Sequence, residues 1–212
     1  MAVATKTTIS VSIENIIVPF DFSKSSELGL NYALVIARRY YSTIHLVHVI
    51  PLSQWPQPYD VTPPGPATEA VEEQRRIARQ RLQSIAQRFA NIPNHVWVEQ
   101  GYPAEVVDVL AQAEHADLIV IGTHGFSGFK KFALGSVAEE IFRKALCPVL
   151  TVGPHVRQVA SDTVLRRILY PTGLLSESHR GLSYALLLAA DENAELTLLH
   201  VIQVKRECSH DD

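Results

Sequence analysis

The stretch DLIVIGTHGFSGFKKFALGSVAEEIFRKAL (117–146) decides the fold. Its first residues are a short apolar run with β-branched side chains, the composition of a strand covered on both faces. From Ser136 onward, apolar residues recur three and four apart, as on a helix. Between the two, Gly122, Gly125 and Gly135 surround one hinge. Glycine weakens regular structure, so such a cluster marks a sharp turn or a close approach of the backbone. A strand, a Gly-rich loop and a helix opened by Ser form one of the few arrangements in which backbone alone can hold a phosphate.

The same alternation extends in both directions. NIIVPF (15–20) reads as a buried strand and precedes the helical pattern SSELGLNYALVIARRY (25–40). IHLVHVI (44–50) is a second strand, and the proline-rich residues 51–66 form a loop. A long Arg- and Gln-rich helix follows, from about Ala67 to Ala90, with Val71, Ile77, Leu82, Ile85 and Phe89 on its apolar side. HVWVEQ (95–100) alternates like a strand, and PAEVVDVLAQAE (103–114) opens with Pro at a helical first turn, where its missing N–H costs nothing. CPVLTVG (147–153) closes the series. Five strands alternating with four helices imply an α/β, doubly wound, Rossmann-like domain. Parallel strands need crossover connections, and these place helices on both faces of the sheet.

Composition narrows the setting. With 47% hydrophobic and 19% charged residues the 212-residue chain is globular in character, and a net charge of −3 gives no basic excess to attract nucleic acid. Only Cys147 and Cys208 occur, the first in an apolar run and the second in a polar tail, which disfavours a disulfide framework. The first fifteen residues lack the apolar core of a secretory signal, and no run reaches the roughly 18 apolar residues of a membrane span. A cytoplasmic protein, without membrane partners, is expected.

The end of the chain repeats its beginning. Counting 152 positions on, Pro19 matches Pro171, Gly29-Leu30 matches Gly181-Leu182, Tyr32-Ala33-Leu34 matches Tyr184-Ala185-Leu186, and His48-Val49-Ile50 matches His200-Val201-Ile202. Chance alignment of amphipathic helices would preserve apolar class, not these identities in one register, so an internal duplication is expected. It covers one strand-helix-strand unit. The expected organisation is a domain over 1–153, a polar linker over 154–165, and an appended partial β-α-β repeat over 166–212.

The spacing Gly122-x2-Gly125-x9-Gly135-Ser136, with VPFDFS (18–23) and LVHVI (46–50), resembles the ATP-binding branch of the universal stress protein family. The resemblance covers 15–152, and 166–202 as the start of a truncated second tandem domain. It implies a five-stranded doubly wound domain, binding of ATP or another adenine nucleotide, with or without magnesium, and a homodimer joined through the last strand, around Val149–Val152. The implied function is a stress-response sensor module whose nucleotide state alters dimer contacts or those with an unknown protein partner.

Physical tasks follow for the matching residues. Gly122 and Gly125 would let the chain bend without a Cβ obstructing ribose or phosphate, and Gly135 would admit phosphate to the next helix. Ser136 offers a hydroxyl, and its N–H and that of Val137 point out of a helix N-terminus. Asp21, in the Pro19-x-Asp21 sequence, could accept from ribose hydroxyls, and Val49 resembles the position whose backbone meets the adenine edge. His124 and Lys130 are further candidates within the glycine loop. Each has a plainer reading: Ser136 as an N-cap boxed by Glu139, Asp21 and Ser23 as helix caps, Lys130 and Lys131 as a solvated face. His45 and His48 have no Cys partner for a zinc set, and no catalytic set stands out, since the Gly-Lys-Ser/Thr order of a P-loop is absent. A slow ATP hydrolase using the same site and a ligand-free scaffold are the alternatives. The partial repeat has Gly173 where the first copy has Asp21, so one nucleotide site per chain is expected.

Overall fold

The structure is a computed structural model and describes residues 12–51, 66–123, 134–153, 156, 165–174 and 178–202. The chain divides into two compact units, Ser12–Asp162 and one that includes Thr163–Asp212.

The first unit carries strands β1 (Asn15–Pro19), β2 (Thr43–Pro51), β3 (Asn94–Gly101), β4 (Leu118–Gly122) and β5 (Val149–Val152). They form one sheet in the order β3-β2-β1-β4-β5, and every pairing is parallel. Helices α1 (Lys24–Tyr40), α2 (Pro66–Ala86), α3 (Pro103–Ala113) and α4 (Ser136–Lys144) make the connections. This is the doubly wound Rossmann-like α/β fold anticipated from the alternation. Its centre is dry: Ile16, Ile17 and Val18 of β1 and Ile119 and Val120 of β4 have no exposed surface. Ile17 and Val47 pack with Ala104, Val107, Leu110 and Ala111 of α3. A buried aliphatic side chain of this size contributes about 1.5–3 kcal/mol, so these central strands hold much of the stability.

The long helix differs in detail from its sequence reading. It ends at Ala86 and tightens into a 3₁₀ turn over Gln87–Phe89. Its buried stripe runs through Ala78, Leu82, Ala86 and Phe89, while Ile77 lies off the stripe and is exposed. Two of these four are alanines, which the eye discounts in an apolar stripe.

Both ends of β4 are fixed by polar or steric details. At its start, Asp117 Oδ2 accepts from the amides of Glu14 (2.8 Å) and Asn15 (3.0 Å), and the Asp117 N–H donates to Asn15 O at 2.9 Å. That clamp sets the β1–β4 register, Ile16 opposite Leu118 and Ile17 opposite Ile119. At its end, a Cβ on Gly122 would run into the Ser25 carbonyl of α1, and a Cβ on Gly29 would stand 3.1 Å from the Gly122 nitrogen. The missing side chain of Gly122 therefore makes room for α1, a packing role that the sequence reading did not assign to it.

The second unit contains β6 (Arg167–Pro171), α5 (Ser178–Glu192) and β7 (Glu195–Leu199). β6 and β7 pair in parallel, Arg167 opposite Glu195 through Pro171 opposite Leu199. Its hydrogen bonds recur from the first unit at the same offset. Phe20 N–H donates to Val47 O (2.7 Å) and Thr172 N–H to Leu199 O (2.8 Å); Thr43 N–H donates to Glu14 O (2.7 Å) and Glu195 N–H to Arg166 O (3.0 Å). Positive φ recurs as well, at Phe22 (64°) and Leu174 (58°), and at Tyr41 (58°) and Asn193 (50°).

The Gly122 packing makes a test. Gly122→Ala should cost about 1–3 kcal/mol in chemical denaturation because α1 must shift. Gly153→Ala, whose Cβ would meet only Thr123 Oγ1 at 4.0 Å, should stay within about 0.5 kcal/mol of the parent. Equal stability of the two variants would show that α1 does not depend on the Gly122 gap.

Candidate functional site

In an open parallel sheet, ligands sit beyond the carboxyl ends of the strands where the strand order reverses. Here that point lies between β1 and β4. A pocket of about 330 Å³ opens there, lined by the ends of β1, β2 and β4 and the first turns of α1, α3 and α4. Of the residues singled out in the sequence, Pro19, Asp21, Val49, Gly122, Gly135, Ser136 and Val137 all line it. Gly125, His124 and Lys130 lie outside the described residues, as does Lys131.

Asp21 Oδ1 accepts from the Ser23 N–H at 3.0 Å, a short turn that carries the chain from β1 into α1. Ser23 is the N-cap of α1, its Oγ accepting from Ser26 N–H at 3.1 Å. The capping role expected of Ser23 thus holds. One Asp21 oxygen serves the turn, and its side chain still borders the pocket.

At α4 the cap differs from the expectation. Gly135, not Ser136, is the N-cap, with φ −60° and ψ 148° and no side-chain cap bond. Ser136 is the first helical residue, and Glu139 pairs with Arg143 (2.9 Å) instead of closing a capping box. The first intrahelical bond runs from Glu139 N–H to Gly135 O at 2.8 Å. Helix geometry therefore leaves the amides of Ser136, Val137 and Ala138 without an intrahelical acceptor, at the positive end of the helix dipole. The Gly135 N–H is tied back to Thr123 O at 2.7 Å, and Thr123 N–H to Val152 O at 3.0 Å, so both flanks of the glycine loop are anchored on the sheet.

Several lining residues were not anticipated. Val47, Val107 and Ile121 form an apolar floor, with Pro51, Pro103 and Ala138 around it. Val47, Val107 and Ile121 read only as core in sequence, and their second role comes from lying at element ends. His48 is another: its Nδ1–H donates to Phe20 O at 2.8 Å, and its ring packs 4.7 Å from that of Phe22. Arg81 of α2 stacks on the other aromatic partner, 3.9 Å from the Phe22 centroid.

With this geometry stands the sequence kinship of the chain. Residues 12–153 match the universal stress protein family. The chain belongs to that family. It is 29% identical over 143 residues to universal stress protein MJ0531 of Methanocaldococcus jannaschii, covering 66% of this chain and 81% of the relative. A universal stress protein of Mycolicibacterium smegmatis is 32% identical over 141 residues, 66% of this chain but only 46% of the longer relative. The crystal structure of a universal stress protein from Archaeoglobus fulgidus shares the fold over 91% of this chain and 69% of its own, with a TM-score of 0.72 at 23% identity. Among the described residues, no helix of this family member is long and apolar enough to cross a membrane.

The buried His45 and the half-buried His48 give the universal stress protein domain a pH dependence. His48 is held below the ordinary imidazole range by burial, opposed by its bond to Phe20 and by Asp21. His45, at the other end of β2, is likewise lowered by burial, with Glu114 opposing and His95 assisting. Its Nδ1 accepts from Trp97 Nε1–H (3.4 Å) and its Nε2–H donates to Asn15 Oδ1 (3.3 Å), a pattern that only the neutral ring can satisfy. The unfolded chain binds these protons near pH 6.5, the folded chain only at lower pH. Stability is therefore complete above about pH 6.5 and declines as pH falls below it. Urea midpoints should be level between pH 8 and 7 and fall between pH 6.5 and 5. The double variant His45→Gln, His48→Gln should show a flatter profile, and an unchanged slope would place the titration elsewhere.

Proposed function

We propose that the first unit binds an adenine nucleotide, ATP in the first place, and that the bound state alters dimer or partner contacts in a stress response. The observation that supports this most directly is the shared lining of one pocket by the Asp21 carboxylate, an apolar floor, and the open amides at the start of α4. The residues fit the ligand part by part. Val47, Val107 and Ile121 suit the apolar faces of a base, with the backbone of Val49 alongside. Asp21 has acceptor capacity beyond the Ser23 bond for ribose hydroxyls. Amides at the α4 N-terminus, with the Ser136 hydroxyl, favour phosphate. Gly125, His124 and Lys130 of the loop belong to the same reading as further contacts. Magnesium carried by a triphosphate would neutralise part of its charge.

The second unit, in this reading, is a partial second family domain without a nucleotide site, since Gly173 supplies no carboxylate where Asp21 stands in the first. A homodimer would use the outer edge of β5, the last strand in the sheet order, whose Val149, Leu150 and Thr151 are half-buried.

Ser136→Pro isolates the phosphate contact. Proline is tolerated at the first helical position, and Gly135 already has the extended backbone that precedes proline, so α4 should remain while one amide and the hydroxyl are lost. Hydrogen bonds to charged groups contribute about 1.5–3 kcal/mol, so ATP affinity by calorimetry should fall at least about tenfold with unchanged helicity. The unmodified protein, denatured after purification, should release about one ATP per chain by chromatography. Release mainly of ADP, with many turnovers in the presence of magnesium, would favour a slow hydrolase. An empty protein that takes up no ATP would leave a scaffold.

A further inference from the structure

One face of the β6–β7 sheet is turned toward α5, which covers Ile168, Tyr170 and Leu196 in part and leaves Leu198 at 61% exposure. Ile168 and Tyr170 of β6 turn toward α5, where a Cβ on Gly181 would lie 3.3 Å from the Tyr170 ring. By alternation the other face carries Arg167, Leu169 and Pro171 of β6 with Glu195, Thr197 and Leu199 of β7, and all six are exposed. In the first unit the residues 152 positions earlier, Ile17 and Val47, are 0% and 1% exposed and pack with Val107, Leu110 and Ala111 of α3. Leu169 and Leu199 keep the apolar character of those positions at 60% and 42% exposure. A two-stranded sheet with one helix is marginal by itself, and apolar side chains gathered on a bare sheet face mark an interface.

The charged ends of this face indicate what covers it. Where the first unit pairs Asn15 with Thr43, the second pairs Arg167 with Glu195 in the same register. A neutral pair has become one positive and one negative charge, side by side on the bare face. We propose that this face packs on the same face of a second copy of the chain, about a two-fold axis parallel to the strands. That axis lays β6 over β7 of the second copy. Arg167 then faces Glu195 of the second copy, and Glu195 its Arg167, while Pro171 and Leu199 meet their opposite numbers at the apolar end. Aligned sheets pack in this way about 10 Å apart, and a two-fold contact repeats each favourable pair. The contact is separate from the β5 edge and does not depend on nucleotide binding.

Sedimentation of the full-length chain tests the arrangement. Arg167→Glu and Glu195→Arg each place like charges opposite one another twice, so each single variant should halve the mass of the assembly at micromolar concentration. Mixed in equal amounts, the two variants should restore the parental mass, with native mass spectrometry showing one chain of each kind across the contact. A defect confined to folding within one chain would not be repaired by mixing. Leu169→Asp should halve the mass and should not be rescued by either partner. Single variants that sediment like the parent, or mixtures that fail to recover, would overturn the proposal and leave the face to the chain's own first unit or to another protein.

Discussion

The seating of α1 on the end of β4 is the contact from which the rest of the first unit follows. Gly122 and Gly29 remove the two Cβ atoms that would hold the helix and the strand end apart. With α1 at that distance, its first turn, from Ser23 to Ser26, reaches the pocket wall opposite the strand ends. A helix set further out by one methyl group would cost packing energy and would also move the Asp21–Ser23 turn away from α4. At the other end of β4, the Asp117 carboxylate binds two amides at the start of β1 and so fixes which residues of β1 and β4 lie opposite. Register and helix distance together define the crevice at the strand-order reversal.

Much of this was legible because it rests on local patterns. Apolar runs of strand length, separated by helical spacing, lead to a parallel sheet through the need for crossovers, and the five-stranded order agrees with that reading. The glycine spacing led to a site whose described members share one pocket. The misreadings arose where a long-range partner decides the role. The packing role of Gly122 beside α1 went unseen because its neighbour Ser25 lies almost a hundred residues away in sequence. Ser136 reads as an N-cap because Ser is common there, yet the chain direction at Gly135, fixed by a bond to Thr123 O, starts the helix one residue earlier, with Gly135 as the cap. Asp117 gave no signal beyond ending a loop, since its two acceptor bonds cross to another strand. The apolar pocket floor could not be told from core, because Val47 and Ile121 are core on one side and pocket wall on the other.

The second unit separates what the strand-helix junction needs from what the candidate ligand needs. His200 Nδ1 bonds Thr172 O at 2.8 Å, as His48 Nδ1 bonds Phe20 O, and Thr172 Oγ1 accepts from Leu174 N–H much as Asp21 Oδ1 accepts from Ser23 N–H. A hydroxyl in one unit and a carboxylate in the other thus each close a turn at this junction, one residue apart in register. The histidine pin and the turn are therefore requirements of the fold, and their presence beside the pocket is not by itself evidence of binding. The charge of Asp21 is the part that the turn does not require.

The same comparison bears on backbone strain. Phe22 lies next to the pocket with a φ of 64°, a conformation that costs a non-glycine residue energy and that often accumulates where a site is under functional constraint. Leu174 adopts a φ of 58° at the corresponding place, where neither the carboxylate of Asp21 nor a glycine loop accompanies it among the described residues. Two unrelated side chains accept the same left-handed conformation because the chain must reverse sharply between the strand and α1 or α5. What distinguishes the first unit is the use made of that reversal. Phe22 is placed between His48 and Arg81, which ties α2 to the pocket wall through an aromatic and a cation. The bend is set by topology, and the chemistry is added by the side chains that it positions.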